Sequence, residues 1–414
     1  MNTAVAHELK SGQQEPESWP LPDLHLADTN RREPDLHSLD ATQGQQIGSK
    51  PYDDATQGRQ LGVGPDDDAT RAFGDRLNED LLAFNPERVT ASEWFASGAR
   101  RPYDPIAKTM LESADGEGSQ PLHVFERVVA APSVSADTRW LTMLPGYPDG
   151  SYGYAQVDRY LGAQPAPRLY IEYLGQGDSD KPAHYEYSST ERADLIQAQW
   201  RAHGVRHTMV VSFDYSSLAL LELLRRQQER DAAGEHSGAT IDAAFIVNGG
   251  LFPDCHSHPW DTTPLLKTSV GRVAAWLGQH VPGVLEATLR NAKLFSSSYQ
   301  VSAHEIADLS DAIRRRGGAA FMHRAAGFVE EHRRNATRWD FAAIVRELQD
   351  NVAFHIAGSE EDPFEPRQIT AARRRLGPLG VDIQSFPGGH LTTSEHPELL
   401  ADAIRGLARA HRVG

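Results

Sequence analysis

Asp214 sits where a side chain is set up to act as a nucleophile. The apolar run Met209-Val210-Val211 gives way to Ser212-Phe213-Asp214-Tyr215-Ser216-Ser217, and Leu218-Ala219-Leu220-Leu221-Glu222-Leu223-Leu224 follows with the pattern of an amphipathic helix. A strand that turns sharply into a helix, with small residues (Ser212, Ser216) two positions either side of the centre, is the context of a nucleophile elbow, which lifts one side chain above a sheet edge. A carboxylate there attacks alkyl carbon and leaves an alkyl–enzyme ester. The plainer reading is that Asp214 caps the helix, although Ser216 and Ser217 can serve as caps too.

Such a turn needs a sheet beneath it, and the flanking sequence supplies one. Leu122 to Val129, Arg139 to Leu144, Leu169 to Tyr173, His207 to Ser212 and Ile241 to Asn248 read as strands. Thr190 to His203 and Ser216 to Gln228 read as helices between them. Strands alternating with helices predict a mainly parallel sheet covered on both faces. From 255 to 351 the rhythm breaks into helical segments, including Ser302 to Arg316 and Ala319 to Arg334. It resumes with a strand at Val352 to Gly358 and closes with a terminal helix, Pro397 to Ala410. The expected organisation is therefore a core over 91–254 and 352–414, with a helical lid inserted at 255–351.

Residues 1–90 differ. They are rich in Asp, Gln, Gly and Pro, poor in apolar residues, and carry Asp-Ala-Thr units starting at Asp40, Asp54 and Asp68. A segment with so little apolar surface is expected to be disordered. The chain has a net charge of −16 and one cysteine, Cys255. That charge argues against nucleic acid or an anionic membrane surface as partner, and a lone cysteine fits a reducing compartment. No apolar run approaches the ~18 residues of a membrane span, and the N-terminal residues lack a basic-then-apolar signal pattern. A cytoplasmic location is expected.

Four motifs in order carry a resemblance. Pro145-Gly146-Tyr147-Pro148-Asp149-Gly150-Ser151-Tyr152 matches an HGxPxxSx oxyanion loop, and Gly175-Gln176-Gly177-Asp178-Ser179-Asp180-Lys181-Pro182 matches a GxGxSDKP turn. Phe213-Asp214-Tyr215 matches His-Asp-Tyr, and Asn248-Gly249-Gly250-Leu251-Phe252-Pro253 matches NGGxFP. Over about residues 92–412 the chain resembles α/β-hydrolases of the haloalkane dehalogenase and epoxide hydrolase group, and is most similar to the mesoderm-specific-transcript subfamily.

The resemblance implies a triad in the order nucleophile, acid, base. Asp214 is the implied nucleophile. His390, in Phe386-Pro387-Gly388-Gly389-His390-Leu391 before the terminal helix, is the implied base. Asp362, followed by Pro363, is the implied acid, with its neighbour Glu361 as the alternative. Backbone amides of Tyr147 and Tyr215 would form the oxyanion hole, and Tyr215 replaces the tryptophan with which dehalogenases hold halide. Tyr299 is the lid's one tyrosine and its candidate proton donor. Pro145 replaces the usual histidine, removing an N–H from the oxyanion loop.

The expected function is hydrolysis of a small apolar electrophile, an epoxide first, through an alkyl–enzyme ester that a His390-activated water cleaves. Haloalkane dehalogenation is the alternative within that chemistry, and binding of an apolar ligand by a catalytically weak fold is the alternative outside it. No cofactor and no metal are expected.

Overall fold

The computed structural model describes residues 88–413, apart from 114–120, 132–134, 136, 164–165 and 236. The segment expected to be disordered falls outside the described residues up to position 87.

Nine strands form one sheet: β1 Ala99–Asp104, β2 Thr109–Met110, β3 Leu122–Val129, β4 Arg139–Leu144, β5 Arg168–Ile171, β6 His207–Phe213, β7 Thr240–Val247, β8 Ala353–Ser359 and β9 Asp382–Phe386. Their order is β2-β1-β3-β5-β4-β6-β7-β8-β9. The β1–β2, β1–β3 and β3–β5 pairings are antiparallel. From β5 through β9 every pairing is parallel. The central strands are buried on both faces, which is why they read as continuous apolar runs rather than as alternations. Met209 and Val211 pack into one apolar layer while Val210 packs into the other. The register pairs Leu144 with Ser212 and Phe213 with Val247, so the carboxyl ends of β4, β6 and β7 open onto one edge. In open α/β sheets that edge is where ligands bind.

Between β7 and β8 lie seven helices: Thr263–Leu266, Ser269–His280, Val284–Asn291, Ala303–Arg314, Gly318–Ala325, Phe328–Arg334 and Phe341–Leu348. No strand occurs in that interval. Two of these helices differ from the periodicity. Ser302 caps a helix that ends at Arg314, because Arg316 turns left-handed at φ +51°. The single helix expected over Ala319 to Arg334 is broken at Ala326-Gly327 into two; glycine is a poor helix residue and the break costs little there. In the core, the helix that follows the elbow runs on to Ala233 and ends on Gly234 in the left-handed conformation, a usual helix stop. No helix among the described residues is long and apolar enough to cross a membrane.

One buried charge fastens the end of the helical insertion to the core. Glu222, fully buried on helix Ser216–Ala233, accepts hydrogen bonds from Arg338 Nη2 (2.7 Å) and Trp339 Nε1 (2.9 Å) as well as from Arg225 and Arg226. Burial works against its charged form, but the donors outweigh it and hold the carboxyl well below its ordinary range. Removing one member of such a cluster leaves buried charge uncompensated. Glu222→Gln should therefore lose about 3 kcal/mol of stability at neutral pH in a denaturant melt. A lowered carboxyl contributes stability above its unfolded value and loses it as pH falls, so the difference from wild type should shrink below about pH 4.

Candidate active site

β6 ends at Phe213, and the next residue, Asp214, takes φ +53°. A non-glycine residue rarely adopts that conformation, and here it is held by Asp214 N–H bonding to Val247 O (3.0 Å) and by Ser217 N–H bonding to Asp214 O (3.2 Å). The turn aims the carboxylate over the sheet edge. Asp214 Oδ2 accepts the backbone N–H of Tyr147 at 3.0 Å, and the Tyr215 amide also bonds the carboxylate. Its other oxygen, Oδ1, lies 3.5 Å from His390 Nε2. On the far side of the ring, His390 Nδ1 stands 3.1 Å from Asp362 Oδ2.

Asp362 is placed by a tight loop after β8, in which its Oδ1 accepts the amide of Phe364 (2.9 Å). Glu361 turns outward, exposed, and accepts the Ser297 amide. Of the two acids, it is Asp362 that meets the imidazole. The oxyanion loop keeps its aim despite Pro145. Ser216 Oγ donates to the Pro145 carbonyl and Gln176 Nε2 donates to the Gly146 carbonyl (2.8 Å).

Charge within the site is strongly coupled. Burial raises Asp214 to about 6, against the pull of His390 and the two amides. Burial alone would lower His390, but Asp362, Asp214 and Asp149 outweigh it and raise the ring to about 9. At neutral pH the site holds an ionised Asp214 facing an imidazolium.

Tyr147 and Tyr215 meet edge to face, their ring centroids 5.5 Å apart. Tyr147 lines the cavity, and its hydroxyl donates to Met322 O at 2.5 Å. Tyr215 stacks on Phe328 and lies under the Arg192 guanidinium. Burial raises both phenols above their ordinary value, so both stay protonated. Tyr299 does not line the cavity; its hydroxyl donates to Glu305.

The cavity holds about 160 Å³ and is mostly apolar. Asp214 and His390 form its floor, and Leu265, Ala275, Leu285 and Leu289 belong to its lid-side wall. An apolar cavity of about 150 Å³ accommodates a molecule the size of benzene.

Several functional side chains lay beyond sequence reasoning. Asp149, a buried residue of the oxyanion loop itself, is raised by burial to about 7. Glu172 is raised by burial to about 8 and accepts both the Ser151 amide and hydroxyl. Asn248 Nδ2 donates to His390 O (2.8 Å) and its Oδ1 accepts the Ser359 amide (2.7 Å), tying the base loop to the acid loop. The NGG motif marked Asn248, but its clamp appears only in three dimensions.

The chain has the α/β-hydrolase fold. The haloalkane dehalogenase DatA of Agrobacterium tumefaciens C58 superposes with a TM-score of 0.54 at 14% identity, over 76% of this chain and 96% of that one. A thermophilic esterase from Thermogutta terrifontis gives 0.53 at 14%, over 76% and 98%. In sequence the chain is 26% identical to the human mesoderm-specific transcript homolog protein over 285 residues, 68% of this chain and 80% of the relative. No family model matches it.

Titration of the His390 ring, followed by NMR, separates the two acids of the loop. Asp362→Asn should lower its midpoint from about 9 by roughly one to three pH units, whereas Glu361→Gln should leave it unmoved.

Proposed function

We propose that this protein is a hydrolase with an aspartate nucleophile, opening a small apolar epoxide by way of an alkyl–enzyme ester. One observation carries the reading: the Tyr147 amide binds Oδ2 of Asp214's own carboxylate, and the Tyr215 amide bonds the same carboxylate group. In a serine enzyme such donors are kept for the carbonyl oxygen of an acyl substrate. Occupied by the nucleophile, they leave no seat for that carbonyl, and the free Asp214 oxygen faces an apolar cavity suited to alkyl carbon.

In this reaction Asp214 Oδ1 attacks an epoxide carbon and the ring C–O bond breaks. The released oxygen takes the Tyr147 hydroxyl proton; that hydroxyl otherwise bonds a single lid carbonyl, which a substrate oxygen can replace. Esterification removes the Asp214 charge that helps keep His390 protonated, so the imidazolium gives its proton, through water, to the Tyr147 phenolate, and the neutral ring is freed to act as base. It takes a proton from water, and the hydroxide adds to the Asp214 carboxyl carbon. The tetrahedral oxyanion then rests on the two amides. Its collapse expels the product alkoxide, which the imidazolium protonates, and the regenerated Asp214 acid passes its proton to His390, restoring the starting ion pair. The net change is epoxide plus water to diol.

Alkyl halide is the second arm of the same chemistry. It stands behind epoxide because no indole among the described residues lines the cavity to hold the halide.

Intact-mass measurement on purified variants tests the reading. His390→Gln incubated with panels of small epoxides and haloalkanes should accumulate a covalent adduct of the substrate's mass, because only the water step needs the base. Asp214→Asn should show neither adduct nor turnover, with its melt close to wild type. A His390→Gln enzyme that stays unmodified across both panels would overturn the proposal, as would full turnover by Asp214→Asn that is free of deamidation.

A further inference from the structure

Next to the cavity, outside the reaction just described, three side chains converge. His256 and His258 lie on the segment entering the helical insertion, and Glu365 lies three residues past Asp362 in the acid loop. One nitrogen from each ring and one carboxylate oxygen all fall within 4.8 Å of one another. His256 Nδ1 is 2.7 Å and His258 Nε2 is 3.4 Å from Glu365 Oε1. All three side chains are almost wholly withdrawn from solvent.

The opposite end of each group is already occupied. His256 Nε2 meets His332 Nδ1 at 2.8 Å, His258 Nδ1 meets Thr263 Oγ1 at 3.1 Å, and Glu365 Oε2 accepts from Gln368 Nε2 at 2.8 Å. Partners of this kind orient the ligands of metal sites. His258 Nε2, the atom turned inward, is buried without a hydrogen-bond partner. A purely hydrogen-bonded cluster satisfies His256 and Glu365 but leaves that nitrogen only a long 3.4 Å approach to the Glu365 oxygen that His256 already occupies, poor pairing for a buried polar atom.

We propose that His256, His258 and Glu365 bind one divalent transition-metal ion, with zinc the best match to two imidazoles and a carboxylate. Ligand atoms around a tetrahedral zinc at about 2.0–2.1 Å stand roughly 3.4 Å apart. The His258–Glu365 separation already meets this, and His256–Glu365 opens by about 0.7 Å to accept the ion. With Nδ1 turned to the ion, the His256 ring carries its proton on Nε2, which donates to His332. The ion joins the root of the lid to the loop that holds the triad acid, since the Glu365 amide itself approaches Asp362 Oδ1. His258 also packs on Phe328 and Phe364 in the cavity wall. The site is therefore a brace that sets the acid loop against the lid.

Metal analysis of the tag-free full chain tests this. After dialysis it should retain about one zinc per chain, and chelation should lower its melting temperature, with zinc restoring it. The chelated protein loaded with cobalt should show visible d–d bands of a low-coordinate site. His258→Ala and Glu365→Gln should each weaken zinc binding by at least about 10-fold, while His355→Ala, which breaks the separate His355–His411 pair, should leave it unchanged. If Glu365→Gln fails to fold, His258→Ala carries the test, because its removal only enlarges the cavity wall. No retained metal together with no thermal shift on adding zinc or cobalt overturns the proposal. So does binding that survives His258→Ala, or that disappears in His355→Ala.

Discussion

Everything at this site depends on one desolvated imidazole held among carboxylates. His390 is buried, and burial alone would drive its proton off; Asp362, Asp214 and Asp149 keep it on. In water such charges interact weakly, but at low effective dielectric a pair a few ångströms apart is worth several times more. The ring's charge therefore reports directly on the state of Asp214. Neutralising that one carboxylate changes whether the histidine keeps its proton, with no moving part required.

Keeping that cluster assembled is the work of groups with no chemical step of their own. Glu172 holds Ser151 and so anchors the loop that presents the Tyr147 amide. Gly150, at φ +65°, lies so close that a Cβ there would come within 2.0 Å of Glu172 Oε1, which leaves no side chain room. Asn248, also left-handed at φ +49°, clamps the base loop to the strand end that precedes Asp362. Raised by burial to about 8, Glu172 is mostly protonated near neutrality. It then sits as a neutral carboxylic acid under a loop where full charge would be costly.

What could be read in the sequence follows from this division. The sheet and the elbow were legible because period-2 and period-3.6 patterns and local turn chemistry mark them, whereas the chain order of Asp214, Asp362 and His390 was implied by the resemblance of four motifs to a known family. The choice between Asp362 and Glu361 was not legible, because it turns on a one-residue loop twist that sends one acid inward and its neighbour to solvent. Asp149, Glu172 and the His256–His258–Glu365 cluster were invisible for a related reason. Their meaning comes from burial and from convergence of segments about a hundred residues apart, which no local pattern encodes. The break at Gly327 shows the same limit inside the insertion, where one glycine divides a run whose periodicity continues through it.

The lid sets what reaches the carboxylate. Helix Ser269–His280 turns Gly271, Ala274, Ala275 and Gly278 toward the cavity, so much of the room for a substrate is made by absent side chains. Gly271 is more than a spacer, since an added Cβ would meet the Leu265 carbonyl oxygen at 2.0 Å. Gly278 is different: a Cβ there would touch Leu285 at an ordinary 3.6 Å. Growth at that position would narrow the cavity while leaving the fold intact. Asp214 and His390 come from the sheet side and the shape of the cavity comes largely from the lid. A change of cavity size therefore requires no change in Asp214 or His390. This is the physical sense in which one fold can serve many substrates, with reactivity fixed at the strand ends and selectivity carried by the helices packed above them.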